Sequence, residues 1–210
     1  MQRGYYDFEI ELEGVAPGLD ALVSKFYLED LKQRKLWLTD EVNEDTVSDI
    51  IRQIMQINAE DANVDIKDRK PIYLYVRSNG GLVDVGFALI DVIEASATPV
   101  YTINLGYAYS MGFLIMLAGH QRFATRSAKF LMHDGTNFVW DSGSKAQDQM
   151  RFQQRVEERV KQFVLSHSRF TEEDYDKNLR VELYMFADEA KNYGFVDWII
   201  GEDCALNEVI

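Results

Sequence analysis

Residues 71–112, PIYLYVRSNGGLVDVGFALIDVIEASATPVYTINLGYAYSMG, decide the fold. Pro71 opens a short apolar run, Ile72 to Val76, of the kind found in a strand buried on both faces. Ser78-Asn79-Gly80-Gly81 reads as a turn, and Val83 to Ile93 as a helix. Pro99 then opens a second buried strand, Val100 to Leu105. Gly106 follows, and another helix begins at about Ser110. Strand, glycine turn, helix, strand, glycine turn, helix predicts a largely parallel sheet with helices packed over it, the α/β class.

The flanks extend this rhythm. Upstream, Leu19 to Leu31 is helical in pattern and Lys35 to Asp40 reads as a short strand. Asn43 caps a helix whose apolar positions are Val47, Ile50, Ile51, Ile54 and Met55. Tyr6, Phe8, Ile10 and Leu12 alternate with Asp7, Glu9, Glu11 and Glu13, a strand or hairpin signal. Downstream, strands are expected at Arg122–Ala124, Phe130–His133, Leu183–Phe186 and Phe195–Ile200. The longest helix is expected from Ser144 to Ser166. Its apolar stripe is narrow (Met150, Phe152, Val156, Val160, Phe163, Val164), so it is only partly buried in its own domain and can reach a partner subunit.

Composition narrows the function classes. At 210 residues, 47% apolar and 27% charged, the chain has the balance of a single globular domain. A net charge of −13 repels phosphate backbones, so no nucleic-acid partner is expected. Cys204 is the one cysteine, so neither an intrachain disulfide nor a zinc site of several thiolates can form. His120, His133 and His167 show no His-x-x-x-His spacing, and no metal or cofactor is expected. No run approaches the ~20 apolar residues of a membrane span, and residues 1–19 lack an export signal. A cytoplasmic protein without a membrane partner is the expectation.

Three groups of residues have the chemistry for catalysis. Ser110 follows a buried strand and opens an apolar helix, a place that suits an ordinary N-cap and equally a nucleophile beside unpaired helix amides. The match to Gly-x-Ser-x-Gly is imperfect, because Ala108 fills the first glycine position. Gly80 and Gly81 make a strand-to-helix turn that can also present amides to a carbonyl oxygen. His133 ends an apolar strand, where it serves either structure or general-base chemistry.

In the order Gly-Gly, Ser-Met-Gly, His, the chain resembles the proteolytic subunits of ATP-dependent Clp proteases, serine peptidases of the crotonase-like fold. The resemblance runs from about Lys35 to Gly201. It is carried by Ser78-Asn79-Gly80-Gly81, Ser110-Met111-Gly112, Met132-His133 and the segment Ala187 to Asp197 (ADEAKNYGFVD). It implies stacked ββα units with a protruding strand-helix handle at about residues 134–168. It also implies a single peptidase domain over residues 20–210 and an axial-loop segment over residues 1–19. Ser110 would be the nucleophile and His133 the base, with Gly81 and Met111 supplying the oxyanion-hole amides. The partners implied are further copies in stacked heptameric rings, a polypeptide substrate and a hexameric AAA+ unfoldase. ATP would bind that unfoldase, since this chain has no Gly-x-x-x-x-Gly-Lys-[Ser/Thr].

Four positions depart from the family pattern: Asn79 for proline, Tyr107-Ala108-Tyr109 before the serine, His133-Asp134-Gly135, and Glu182 in place of the catalytic aspartate. Glutamate can complete a triad, as Ser-His-Glu sites on other folds do. Asp174 and Asp176 are rivals for the acid, and an incomplete triad is a third possibility. Two other classes compete with an active peptidase. One is an inactive Clp-like subunit of a mixed ring. The other is a crotonase-type acyl-CoA enzyme, which shares the paired oxyanion amides but needs no serine nucleophile.

Overall fold

The computed structural model describes residues 19–135, 143–178 and 181–209. The expected alternating strand of residues 1–18 and the Thr136–Trp140 part of the handle lie outside these. Two compact units divide the chain, residues 1–33 and 34–210. Of the first, helix α1 (Leu19–Lys32) is described. Among the described residues no helix is long and apolar enough to cross a membrane.

In the second unit β1 (Lys35–Leu38) leads to α2 (Glu44–Glu60). Asn43 caps α2 reciprocally with Thr46: the Thr46 amide donates to Asn43 Oδ1 at 3.0 Å, and the Asn43 amide donates to Thr46 Oγ1 at 3.2 Å. The buried stripe of α2 is Val47, Ile50, Ile54 and Ile57. Met55, expected in that stripe, is 62% exposed, because the buried line steps from Ile54 to Ile57 and leaves residue 55 to one side.

Next come β2 (Ile72–Ser78), α3 (Val83–Ala95), β3 (Val100–Tyr109) and α4 (Met111–Leu117). Strands β4 (Gln121–Thr125) and β5 (Lys129–Met132) precede the long α5 (Ser144–Ser166). Then follow α6 (Glu172–Asn178), β6 (Leu183–Phe186), α7 (Ala187–Asn192) and β7 (Trp198–Ile200). The main sheet has the order β1-β2-β3-β4-β7, parallel throughout. β5 joins β3 in parallel and β6 in antiparallel fashion.

Strand β3 serves both parts. Its first half pairs with β2 and β4, and its last residues, Tyr107 to Tyr109, pair with β5. Gly106 is therefore a bend inside a strand rather than the end of one. Asn104 holds that bend: its buried amide donates to Lys129 O at 3.0 Å and accepts from the Gly106 amide at 2.9 Å.

All seven residues of α4 are buried. Phe113 packs edge-on against Phe195 at 5.0 Å and Phe130 at 6.4 Å. Phe195 and Val196, expected in the last strand, are buried in the turn before β7 instead. Asp197, just before β7, donates its amide to Arg122 O at 2.9 Å and accepts from the Arg122 guanidinium with both carboxylate oxygens, at 2.7 and 3.0 Å. A second cluster gathers Tyr75, Ile103, Phe123, Ile200 and Val209. Over the 23 residues of α5, full burial is confined to Phe163 and Val164, and most of its other residues are exposed among the described residues.

Candidate active site

Ser110 occupies the sharp turn between β3 and α4 with φ +52° and ψ −122°. Among the described residues only Arg34 shares a positive φ outside glycine. An N-cap serine has extended backbone, and its side-chain oxygen accepts a hydrogen bond from a helix amide. Ser110 does neither. A non-glycine residue held in this region costs on the order of 1–3 kcal/mol, and such strain concentrates at functional sites. Its backbone is held from both sides: its amide donates to Leu131 O at 2.9 Å, and its carbonyl accepts from the Phe113 amide at 3.0 Å.

The glycine turn lies directly against this serine. A Cβ on Gly80 would fall 2.8 Å from Ser110 Cβ and 2.9 Å from the Met111 nitrogen. A Cβ on Gly81 would fall 2.3 Å from Val42 O. Both have positive φ, +96° and +151°. Gly81 bridges to Val42 in parallel fashion. The bridge is made by Val42 N–H to Gly80 O and by Leu82 N–H to Val42 O, each 2.8 Å, and leaves the Gly81 N–H out of the pairing. Met111 is the first residue of α4, whose amide has no intrahelical acceptor. The Gly81 and Met111 amides are thus both left without a partner in the local backbone pairing.

Ser78, which the sequence reading treats only as part of a turn, shapes this cradle. Its hydroxyl donates to Asp40 O at 2.6 Å and accepts from the Gly80 amide at 3.1 Å. Gly112 lets α4 settle onto it, since a Cβ there would stand 3.2 Å from Ser78 Cβ.

His133 follows β5, the strand whose Leu131 carbonyl binds the Ser110 amide. Its Nε2 is buried and has no hydrogen-bond partner among the described residues. A buried ring nitrogen left unpaired is unfavourable, so this position calls for a partner from outside the described residues. Its Nδ1 faces Glu182 Oε1 at 4.0 Å. The antiparallel register of β5 and β6 pairs Met132 with Leu183, and one step further sets His133 opposite Glu182.

The remaining histidines have structural partners. His120 Nδ1 accepts from the Val100 amide at 3.1 Å, and His167 Nε2 lies 2.7 Å from Glu94. The rival acids are also engaged. Asp174 accepts from the Thr171 hydroxyl and amide, which hold its carboxyl below the ordinary range. Asp176 accepts from Lys161 at 2.8 Å and, with Glu172, raises that lysine. Of the three carboxylates, Glu182 is the one that faces His133.

Tyr184 also belongs here. Its phenol donates to Glu182 Oε2 at 3.1 Å, and that bond is the main cause raising the phenol above its ordinary value. Residues two apart in a strand share a face, which is the sequence signal linking Tyr184 to Glu182.

A parallel α/β sheet with a strained serine against a Gly-Gly turn agrees with the crotonase-like peptidase fold that the sequence resemblance implies. The Clp protease family model matches residues 20–203, and the chain belongs to that family. Among its relatives, ATP-dependent Clp protease proteolytic subunit 2 of Treponema pallidum (strain Nichols) is 28% identical over 179 residues, covering 84% of this chain and 87% of the relative.

Proposed function

We propose that this chain is a serine endopeptidase that cuts unfolded polypeptides inside a self-compartmentalised barrel. The observation that carries the reading is Ser110, strained at the mouth of α4 and pressed against Gly80, with the unpaired Nε2 of His133 on the adjoining strand. His133 takes the hydroxyl proton through Nε2 as Ser110 Oγ attacks the peptide carbonyl. The oxyanion accepts from the Gly81 and Met111 amides, where one such donor contributes about 3 kcal/mol to lowering the barrier. The proton passes to the departing amine as the C–N bond breaks, and water then releases the acyl group by the same steps. Glu182 holds the imidazole in the tautomer with hydrogen on Nδ1. Its 4.0 Å separation from the ring shortens when substrate is bound, as catalytic hydrogen bonds commonly do.

Two stacked rings of seven copies, fed by a hexameric AAA+ unfoldase that binds the ATP, complete the machine, in the cytoplasm. The uncovered length of α5, with Met150 and Phe152 exposed, supports ring pairing. The test is hydrolysis of small fluorogenic peptides together with labelling by a fluorophosphonate. Wild type is labelled and active, and Ser110→Ala is neither. Activity within a few-fold of wild type in Ser110→Ala would overturn the assignment. A second reading, an inactive subunit of a mixed ring, is favoured by the exposure of Glu182 and its distance from His133. An unlabelled, inactive wild type would establish it.

A further inference from the structure

We propose that Tyr184 is a positioning residue for the acid, fixing the Glu182 carboxylate so that one oxygen faces His133. This rests on the reading that Glu182 orients His133. Glutamate has one more rotatable bond than aspartate, and the Glu182 side chain is 59% exposed. Left alone, such a side chain samples many rotamers, and holding it costs conformational entropy. The Tyr184 phenol supplies the hydrogen bond that Glu182 has among the described residues, at Oε2, while Oε1 faces His133 Nδ1.

The clamp is itself anchored. Tyr184 opposes Leu131 on β5, and Leu131 opposes Tyr109 on β3, so the three form one row across the strands. The Tyr184 ring meets Tyr109 edge-on, with centroids 6.0 Å apart and planes at 88°, and Tyr109 lies tilted by 40° against Tyr107 at 5.3 Å. Tyr109 immediately precedes Ser110. The acid and the nucleophile are therefore referenced to the same strand end. The phenol is a donor at neutral pH in any case, and its bond to Glu182 raises it further above its ordinary value.

The experiment is a double-mutant cycle in the assembled enzyme, comparing Tyr184→Phe with and without Glu182→Ala. Peptide hydrolysis gives kcat and KM, and the fluorophosphonate acylation rate gives a readout where turnover is slow. Tyr184→Phe keeps the ring against Tyr109 and removes the hydroxyl. It is expected to lower kcat and acylation about threefold to tenfold with KM unchanged, a modest loss for a hydrogen bond to an exposed charged group. In the Glu182→Ala background it is expected to lower them no further. Wild-type rates in Tyr184→Phe would overturn the proposal, as would an equal fractional loss in both backgrounds, which marks a packing role. Should Ser110→Ala and Glu182→Ala both cripple the enzyme while Tyr184→Phe does not, positioning alone has failed. Should Glu182→Ala be silent, the role of the acid has failed, and this proposal with it.

Discussion

Gly80 and Ser110 touch backbone to side chain with no room between them: a Cβ on Gly80 would stand 2.8 Å from the Ser110 Cβ and 2.8 Å from the Tyr109 carbonyl oxygen. The obstacles are backbone and a Cβ, which cannot rotate away, and Gly80 also has φ +96°. Gly80→Ala must therefore push the serine turn and the Met111 amide out of place. A misplacement of about 1 Å in a catalytic group costs on the order of a hundredfold in rate. Peptide hydrolysis by Gly80→Ala is expected to fall at least that far. Gly135→Ala, where none of the described residues lies within 4 Å, should stay near wild type. Equal activity in the two variants would contradict the cradle geometry.

Glu182 and His133 set the second expectation. Glu182→Gln keeps the shape but accepts poorly from the imidazole, so kcat is expected to fall about a thousandfold or more, with the particle intact by sedimentation. Glu182→Asp draws the carboxylate back by about 1.5 Å from a separation that is already 4.0 Å, and away from the Tyr184 phenol. A tenfold or greater loss is expected. Wild-type turnover in Glu182→Gln would mean that the acid lies elsewhere or that a Ser-His pair works alone.

Much of this site is legible in the sequence because it depends on spacing. Glycines after one buried strand, a serine after the next and a histidine after a third must meet at one end of a parallel sheet. Glu182 comes from the family resemblance, which puts it in place of the aspartate, and the β5–β6 register sets it opposite His133. What spacing does not carry is conformation. Ser110 suits a helix cap by residue type, and only its φ of +52° separates it from one. Gly106 reads as a strand end because the Asn104 side chain that carries the strand through the bend acts across the sheet, on the Lys129 carbonyl. Phe195 to Asp197 reads as strand by its apolar residues, yet Phe195 is drawn into the Phe113 cluster and Asp197 to Arg122. Tertiary partners decide these cases, and a local pattern does not contain them.

Asp61 gives a pH-dependent expectation far from the site. It is buried and accepts from Arg34 with both oxygens, each at 2.7 Å, and from the Thr98 hydroxyl at 2.9 Å. The Arg34 bond is the largest cause holding its carboxyl below the ordinary range, with burial opposing it. A folded-state value below the unfolded one contributes stability above about pH 4, and this is lost as pH falls through the lower folded value. Asp61→Asn removes the carboxylate charge that faces Arg34 and is expected to cost about 2 kcal/mol at pH 7. Thermal melts should show the gap between wild type and variant narrowing from pH 5 toward pH 2. A gap that is constant with pH would show that the ion pair contributes nothing.

The exposed apolar residues of α5 give an expectation about assembly. Met150 and Phe152 are 55% and 59% exposed, and the first apolar residue of this helix to be buried is Phe163. An exposed Phe in a charged helix is unfavourable in a lone subunit, and burying it against a second copy removes apolar surface worth about 25 cal/mol per Å². A two-fold pairing of such helices brings each residue against its counterpart's neighbours, so one substitution acts twice at each contact. Phe152→Glu is expected to split the assembly into smaller species in sedimentation at micromolar concentration. The single chain should stay folded, because Phe152 supports no buried cluster of its own. Gln154→Glu adds the same charge at an exposed neighbouring position and should leave the assembly whole. If wild type already sediments as a 24.3 kDa monomer, or if both variants assemble like wild type, the uncovered face of α5 is not what joins the subunits.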